Sequence, residues 1–406
     1  MPKKRGNGEG SISQRKNGTY CAVVTTGRDK QTGKLIRRTI YGKTRPEVAK
    51  KLTEILNQIN YGTYIEPSKL TVADWLDIWV RDYKKNDLKV TTYSSYESNI
   101  NIHIKPHIGH ILLRNLTPDH LRKFYNELLE AGRIDGNGGL SPRSVKYIHI
   151  ILHSALDQAI KNQLIVRNVC DATTVARRIK KEIRVLTLEE QRKFLEAIQG
   201  DKICTPLTTD MGTGLRQGEL LGLRWQDCDL KKGVIKVKQE LLRIKNYDKK
   251  IPTKTILAFQ EPKTEKSKRS IPLPPNILNE LKEHRKKQLE QKLKLGNLYQ
   301  DNDLVFPGDF GQPYDPRCFT TRFKKLVDKA KIKNVNLHSL RHTFATRLLE
   351  ANIHPKVVQE LLGHANISTT LDIYSHVMPE IKQAATEAIN HLFKRKNPSI
   401  KEGSHN

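Results

Sequence analysis

The sequence lacks the features of membrane-spanning and secreted proteins. None of its apolar runs approaches the length of about 18 residues that a transmembrane helix needs. Its basic start, Met1–Arg5, is followed by glycine, asparagine and serine instead of the apolar stretch of a secretory signal. Its five cysteines lie far apart without a CxxC pair, which argues against a disulfide framework and a cysteine-bound zinc. These absences predict a soluble protein of the cytoplasm with reduced thiols.

Acidic residues are scarce relative to basic ones. Asp and Glu number 43 against 72 Lys and Arg, which gives a net charge of +29 over 406 residues. A generic basic protein is one interpretation, but an excess spread over folded-looking sequence favours contact with nucleic acid. Hydrophobic residues make up 37%, enough for packed cores, and the length predicts two or three domains.

No internal repeat is present, and the first of three blocks covers residues 1–62. Asn17 and Gly18 form a strong hairpin signal, and Thr44 begins a capping-box sequence that opens a helix to about Asn60. The strand-like runs are Ser11–Lys16, Thr19–Thr26 and Leu35–Tyr41. The block is predicted to be a small domain of three strands and one helix.

Basic residues are concentrated in this first block. Among residues 1–60, Lys and Arg number 14 and Asp and Glu number 4. A solvated basic surface would account for the excess, but strands that carry basic side chains can also enter a DNA groove. The residues expected to contact DNA are Arg15, Lys16, Arg28, Lys30, Arg37 and Arg38.

The second block, residues 70–178, is predicted to be an all-helical bundle. Thr71, Thr117 and Ser141 mark helix starts, the last two followed by proline at the first helical position. A fourth helix is predicted over Thr92–Ile104. Four helices of this size suit a compact bundle.

The third block, residues 186–396, is predicted to be α+β and mostly helical. It begins with a capping box at Thr187, and strands are predicted within Gly233–Ile244 and Ser267–Leu273. The preceding segment, Arg177–Arg184, carries five basic residues. That segment reads either as a connector that tracks a phosphate backbone or as a plain solvated linker.

Four short segments of the third block have unusual polar composition. Taken singly, each has an ordinary interpretation: a helix-start salt bridge, a charged loop, two histidines on a helix, and a packing tyrosine. The residues concerned are Arg216 and Glu219; Lys263, Lys266 and Lys268; His338 and Arg341; and His364 and Tyr374.

A metal site is the main rival interpretation of these segments. His338 and His342 have the i, i+4 spacing of zinc ligands on a helix, as in H-E-x-x-H. However, Ser339 stands where that motif has glutamate, and no third ligand is evident nearby. No metal is therefore expected.

Taken together, the four segments suit phosphoryl transfer. Two arginines, two histidines and a lysine supply positive charge, and there is no carboxylate pair to hold a metal. Guanidinium groups stabilise the negative charge of a pentavalent phosphoryl transition state. A tyrosine hydroxyl can then act as the nucleophile and form a covalent phosphotyrosyl intermediate.

These segments resemble the signature of tyrosine recombinases, the phage-integrase family. The matching motifs occur in order: R-x-x-E-L-L-G-L, a K-T loop, L-H-x-L-R-H-T-F-A-T, and L-G-H-x-x-x-x-T-T-x-x-Y. The first two blocks also resemble this family's arm-site-binding domain and its helical core-site-binding domain. The expected domains are therefore 1–62 (arm-type DNA binding), 70–178 (core-site binding) and 186–396 (catalytic).

The resemblance implies a role for each site residue. Tyr374 would attack the scissile phosphate and stay joined to the DNA 3′ end, and Glu219 would orient Arg216. Lys263 would protonate the departing 5′ oxygen, with Lys266 and Lys268 as alternatives. The residues implied to bind the phosphate oxygens are Arg216, Arg341, His338 and His364, of which His338 would also accept the tyrosine proton. No metal, ATP or other cofactor is implied.

The resemblance further implies an integrase of a bacterial phage or integrative element, acting as a homotetramer on core and arm sites of double-stranded DNA. A directionality factor and a host DNA-bending protein are candidate partners. Two alternatives remain: a chromosome-dimer resolvase or type IB topoisomerase relative with the same chemistry, and a DNA-binding regulator on the same fold. The basic first block argues against a dedicated resolvase, and the full set of catalytic residue types argues against a regulator.

Overall fold

The computed structural model describes residues 11–28, 32–62, 64, 69–176, 184–248, 250–262 and 267–373. The chain divides into two compact units, residues 1–179 and 180–406. Among the described residues, no helix combines the length and apolar character needed to cross a membrane.

The first unit begins with the predicted domain of three strands and a helix. The strands form an antiparallel sheet in the order β1-β2-β3, and Gly18 in the first turn has φ +83°, a conformation that favours glycine. The elements are β1 (Ser11–Gln14), β2 (Tyr20–Arg28), β3 (Leu35–Gly42) and α1 (Arg45–Asn60).

Helix α1 packs on one face of this sheet. Thr44 caps the helix by accepting a hydrogen bond from the Glu47 backbone N–H. A capping box would have the Glu47 carboxylate accept a hydrogen bond from the backbone N–H of Thr44. Here the carboxylate accepts instead from the backbone N–H of Lys43 (2.9 Å), one residue before the cap. The shared core consists of Ala22, Val24, Ile40, Val48, Leu52 and Ile55.

The rest of the first unit is the predicted helical bundle. Its caps at Thr71, Thr117 and Ser141 are confirmed. The helix predicted over Thr92–Ile104 starts two residues earlier and continues to Ile108, with a π-helical turn within it. The α-helices are α2 (Val72–Ile78), α3 (Val90–Asn99), α4 (Lys105–Ile108), α5 (Pro118–Ala131) and α6 (Pro142–Lys161), and π-helical turns cover Trp79–Lys84 and Ile100–Ile104.

The second unit is mostly helical with two small antiparallel sheets, which confirms the predicted fold class. Its helices are α7 (Leu188–Ile198), α8 (Cys204–Thr213), α9 (Gln217–Leu221), α10 (Pro275–Leu295), α11 (Pro316–Lys329), α12 (Leu337–Glu350) and α13 (Pro355–Leu362). Its strands are β4 (Cys228–Asp229), β5 (Val234–Val237), β6 (Glu240–Lys245), β7 (Thr255–Gln260) and β8 (Arg269–Pro272).

The strand run predicted within Gly233–Ile244 is divided between two sheets. Strand β5 lies in a sheet of order β4-β5-β8, whereas β6 pairs with β7 in a separate hairpin. Gln239, between the two strands, donates from Nε2 to the Gly222 carbonyl (2.8 Å), which anchors the break. Strand β7 was not predicted, because its sequence carries no turn signal of the strength of Asn-Gly.

Candidate active site

Arg216 stands at the start of α9, where a tight turn after α8 places it. Gly214 ends α8 with φ +61°, and a Cβ there would lie 2.5 Å from the Phe344 ring, so this turn requires glycine. Arg216 donates to Glu219 from its backbone N–H (2.9 Å, Oε2) and from Nη1 (2.7 Å, Oε1). The guanidinium is thereby held in place while 35% of the side chain remains exposed.

A second arginine, Arg269 at the start of β8, shares Glu219 with Arg216. Its Nη1 and Nη2 donate to Oε1 and Oε2 of Glu219 at 3.1 and 2.8 Å. Burial alone would raise the pKa of the Glu219 carboxyl, but the hydrogen bonds and charges of the two arginines outweigh burial and hold that pKa below its usual value. Glu219 is therefore an anion that orients two guanidinium groups.

The strand predicted within Ser267–Leu273 contains Arg269, but the sequence motifs give this arginine no role in the site, although a signal for its position was present. Ser267, Arg269 and Ile271 alternate along the chain, and a strand turns such residues to one face. Ser267 and Ile271 are buried, and the Arg269 side chain is only 6% exposed. The alternation thus places this arginine on the inner face of β8.

Arg341, on α12, is 2% exposed and is held by backbone carbonyls. Its Nη1 donates to the Gly214 carbonyl and its Nη2 to the Leu362 carbonyl, both at 2.6 Å. Burial, followed by repulsion from Arg216, lowers the Arg341 pKa to about 9, so the group is still charged at neutral pH. A charge in such low-dielectric surroundings acts strongly on a nearby anion.

The C-terminal end of α13 accepts hydrogen bonds from all three arginines. The last carbonyls of a helix have no partner within the helix and carry the negative end of its dipole. We call the three acceptors the α13 carbonyl set. The pairs are Arg269 Nε to the Leu361 carbonyl (2.7 Å), Arg341 Nη2 to the Leu362 carbonyl (2.6 Å) and Arg216 Nη2 to the Gly363 carbonyl (3.2 Å).

Three histidines lie within electrostatic range of these arginines. Burial is the main cause that lowers the pKa of all three, to about 4 for His342 and about 3 for His364, and the neighbouring positive charge lowers it further. His338 lies in the first turn of α12, and His364 is buried with Nδ1 3.0 Å from Thr370 Oγ1. All three imidazoles are therefore neutral at physiological pH.

The spacing of His338 and His342 produces a ring contact. The two rings meet edge to face with 4.5 Å between their centroids. In the part of the chain that the structure describes, no group of three or more His, Cys, Asp or Glu residues could hold a metal ion. The arrangement instead presents buried positive charge beside neutral imidazoles, which suits an anion whose charge grows during reaction.

Comparison with known proteins identifies the family. The phage integrase family matches residues 184–380, and the N-terminal SAM-like domain of phage integrases matches residues 71–129. The chain is 34% identical over 391 residues to a tyrosine recombinase XerC-like protein of Caldanaerobacter subterraneus, covering 93% of this chain and 98% of that relative. The chain belongs to the phage integrase family of tyrosine recombinases. It is a site-specific DNA recombinase.

Other relatives of this chain agree over most of its length. It is 24% identical to the ICEBs1 integrase of Bacillus subtilis, covering 94% of this chain and all of the relative. The Tn1549 transposon integrase in complex with transposon right end DNA superposes with a TM-score of 0.65 at 25% identity, covering 79% and 99% of the two chains. A lambda integrase tetramer bound to a Holliday junction shares the fold, with a TM-score of 0.53 at 22% identity over 90% and 96%.

The structure brings together five of the predicted site residues. These are Arg216, Glu219, His338, Arg341 and His364. The lysine alternatives are only partly described: Nζ of Lys268 lies 3.0 Å from the Glu261 carboxylate. The predicted residues that lie outside the described part of the chain are Lys30, Lys263, Lys266 and Tyr374.

The basic residues predicted to contact DNA lie on different surfaces of the N-terminal sheet. Arg37 is exposed on the face opposite α1, because its strand partner Thr25 alternates with the buried Val24. Arg38 lies on the α1 face and its Nη1 is 3.5 Å from the Tyr64 hydroxyl.

Three further residues of that predicted set are exposed at the edges of the sheet. Arg15 stacks over the Tyr41 ring at 4.7 Å and donates to its hydroxyl (3.1 Å), so this guanidinium is held on the face opposite α1. Lys16 is exposed in the first turn, and Arg28 is exposed at the end of β2. Arg15 and Arg37 thus lie on the face of the sheet opposite α1, whereas Arg38 lies on the face that α1 covers.

Proposed function

We propose that this recombinase is the integrase of a bacterial phage or an integrative conjugative element and acts on DNA in the cytoplasm of its host. Its relatives that match over nearly all of their own length include the ICEBs1 integrase and the integrase of Staphylococcus phage L54a. The proposed domains are residues 1–62 for arm sites, 70–178 for core sites and 186–396 for catalysis. A resolvase without an arm-binding domain fits less well, because a folded basic sheet precedes the core-binding bundle.

The proposed reaction is metal-independent and ATP-independent transesterification. The Tyr374 oxygen attacks phosphorus as His338 accepts its proton, and the bond to the 5′ oxygen breaks as Lys263 donates a proton to that oxygen. The bond energy is retained in a 3′-phosphotyrosyl linkage, and attack by a 5′ hydroxyl of a second duplex reverses the step. Arg216, Arg341 and His364 stabilise the added negative charge of the pentavalent state.

One observation carries this proposal: two positively charged arginines and neutral histidines converge at the end of α13. Arg341 is buried, with both terminal nitrogens donating to carbonyls, so it contributes charge in a low-dielectric setting. Arg216 is partly exposed, so it offers hydrogen bonds to the phosphate directly. The chain runs from this point through His364 to Tyr374, which supports that tyrosine as the nucleophile.

The partners proposed beyond DNA follow the same resemblance. A homotetramer would hold two duplexes during strand exchange, and the lambda integrase that shares this fold is a tetramer bound to a Holliday junction. A directionality factor and a host bending protein would select integration or excision.

A recombination assay tests the proposed function. The protein is incubated with a supercoiled plasmid carrying the joined element ends and a linear duplex carrying the chromosomal site, and recombinant joints are quantified by polymerase chain reaction. We expect joints to form with a chelator present and without ATP, once host extract supplies the bending protein. Joints that require added divalent metal would contradict the proposed chemistry, and intramolecular resolution without integration would favour the resolvase alternative.

The N-terminal sheet offers a matched pair of arginines that tests arm-site binding. Arg37→Ala removes a cation from the face opposite α1, whereas Arg38→Ala removes the adjacent cation from the α1 face. Arg37→Ala should weaken binding of the element-end sequence by about 1–3 kcal/mol if it reads a base edge. Binding to random DNA of equal length should change much less. Fluorescence anisotropy at physiological salt measures both.

The sequence predicts that Arg38 also contacts DNA, but its side chain lies on the α1 face beside Tyr64. Arg38→Ala should therefore leave both affinities near wild type, and it serves as the control. Equal losses for Arg37→Ala on both DNAs would mean that the residue contacts only phosphates. Equal effects of the two substitutions would contradict the assignment of the DNA-contacting face. Core-site cleavage should be unchanged in both variants, because every proposed catalytic residue lies beyond Arg184.

A further inference from the structure

Arg269 is the most extensively bound arginine of the catalytic site, and the chemistry proposed above gives it no role. An arginine has five N–H donors. Four hydrogen bonds connect those of Arg269 to protein acceptors: two to Glu219, one to the Leu361 carbonyl and one to the Ser267 carbonyl (3.1 Å). With 6% of its side chain exposed, Arg269 has little capacity to contact DNA itself.

The contacts of Arg269 join three elements that carry the site. Glu219 lies in the first turn of α9 and holds Arg216. Leu361 lies at the end of α13, beside the two carbonyls that accept from Arg341 and Arg216. Ser267 ends the lysine-rich loop. Arg269 is the one residue described here that binds all three.

The bidentate contact also determines how Glu219 can bind Arg216. Each Glu219 oxygen accepts from one terminal nitrogen of Arg269, and the remaining capacity holds Arg216 through one side-chain nitrogen and its backbone N–H. The Nη2 of Arg216 is thereby directed to the Gly363 carbonyl and not to the carboxylate. Without Arg269, a buried carboxylate would draw Arg216 into a bidentate pair of its own.

We call the two arginines assigned to the phosphate, Arg216 and Arg341, the phosphate clamp. We propose that Arg269 is a positioning residue for this clamp: by binding Glu219 and the end of α13, it keeps Arg216 turned toward the scissile phosphate. The inference rests on the proposed function, in which Arg216 contacts that phosphate. Arg269 acts through Arg216 and not through the lysine-rich loop that it also contacts.

Three substrates distinguish an effect of Arg269 through Arg216 from an effect through the lysine-rich loop. Single-turnover cleavage is measured on nicked core-site DNA whose scissile group is a phosphate, a methylphosphonate or a 5′-bridging phosphorothiolate. The methylphosphonate carries one negative charge less at the non-bridging positions, so it depends less on guanidinium stabilisation. The phosphorothiolate leaves as a thiolate and needs no proton, so it is insensitive to a misplaced general acid.

Arg269→Gln should slow cleavage of the phosphate substrate by about 10²-fold, the scale of a small misplacement in an active site. On the methylphosphonate the loss should shrink to less than about tenfold, while on the phosphorothiolate it should persist. Arg269→Lys should behave in the same way, because an ammonium group cannot donate in the bidentate geometry of a guanidinium. Glu219→Gln should reproduce the pattern, and the double variant should lose little more than either single one.

Arg322→Ala is the control for a lost structural ion pair. Arg322 makes a bidentate contact with Asp201 (2.7 and 3.0 Å) between other elements of the unit. It should leave the three relative rates at their wild-type values, whatever its effect on the melting temperature. Glu219→Gln removes the charge of the carboxylate that Arg269 binds, so it tests the Arg269–Glu219 contact independently. Poor folding of one variant therefore still leaves the other variant as a test.

Two outcomes would overturn the inference, and a third would overturn the proposed function. Equal losses for Arg269→Gln on all three substrates would show a merely structural role. Recovery on the phosphorothiolate alone would show that Arg269 acts through the lysine-rich loop. Arg216→Ala is run in parallel: if its defect is not relieved on the methylphosphonate, the assignment of Arg216 to the phosphate fails, independently of Arg269.

Discussion

Tyr374→Phe should abolish covalent DNA adduct and recombinant product while leaving DNA binding intact. The substitution removes only the hydroxyl, which is the proposed nucleophile, and no other group can then form the phosphotyrosyl linkage. We expect no adduct above background on a nicked core-site substrate, where wild-type protein accumulates adduct because the cleaved strand diffuses away. The measurement is a denaturing gel of end-labelled DNA after incubation.

Tyr314→Phe is the matched control for this prediction. Tyr314 lies in the same domain and packs its ring against Phe319 at 5.6 Å, which makes it a packing tyrosine. That variant should form adduct at the wild-type rate. Adduct that persists in Tyr374→Phe would move the nucleophile elsewhere. Loss of DNA binding in Tyr374→Phe would contradict the prediction that the hydroxyl serves only the chemical step.

Much of the fold could be predicted because its signals are local. Gly18 and the threonine caps at Thr44, Thr71 and Thr117 act within four residues of their own position, so a sequence contains their full cause. The division between β5 and β6 could not be predicted in this way. It depends on Gln239 binding the Gly222 carbonyl, 17 residues away in sequence.

The candidate site shows the same distinction between local and distant causes. Arg216 and Glu219 are three residues apart, so their contact follows from helix geometry. The α13 carbonyl set depends on three arginines from different elements meeting one helix end, and no spacing reveals that meeting. Arg269 was given no role for this reason: a strand was predicted over it, but its partner Glu219 is 50 positions earlier.

Arg216→Ala should lower the rate of strand cleavage by about 10²–10³-fold, the loss that follows removal of one transition-state donor. DNA binding should weaken far less, because the guanidinium acts most strongly on charge that develops only in the pentavalent state. Single-turnover cleavage at saturating protein separates the two effects. Arg322→Ala is again the suitable control, since its side chain is 38% exposed against 35% for Arg216 and it too is paired with a carboxylate.

Arg341→Ala should lower the rate of cleavage at least as much as Arg216→Ala does. The melting temperature of this variant must be measured as well, because the substitution also affects folding. Its guanidinium fills a buried position and satisfies the carbonyls of Gly214 and Leu362, so truncation leaves two buried acceptors unpaired at about 1–3 kcal/mol each. The melting temperature should therefore fall for Arg341→Ala and stay near wild type for Arg216→Ala, because Glu219, the partner of Arg216, is still bound by Arg269 in that variant.

Near wild-type cleavage by folded Arg216→Ala would mean that the exposed arginine is not part of the phosphate clamp. The same result for folded Arg341→Ala would mean that buried charge at the end of α13 does not act on the phosphate.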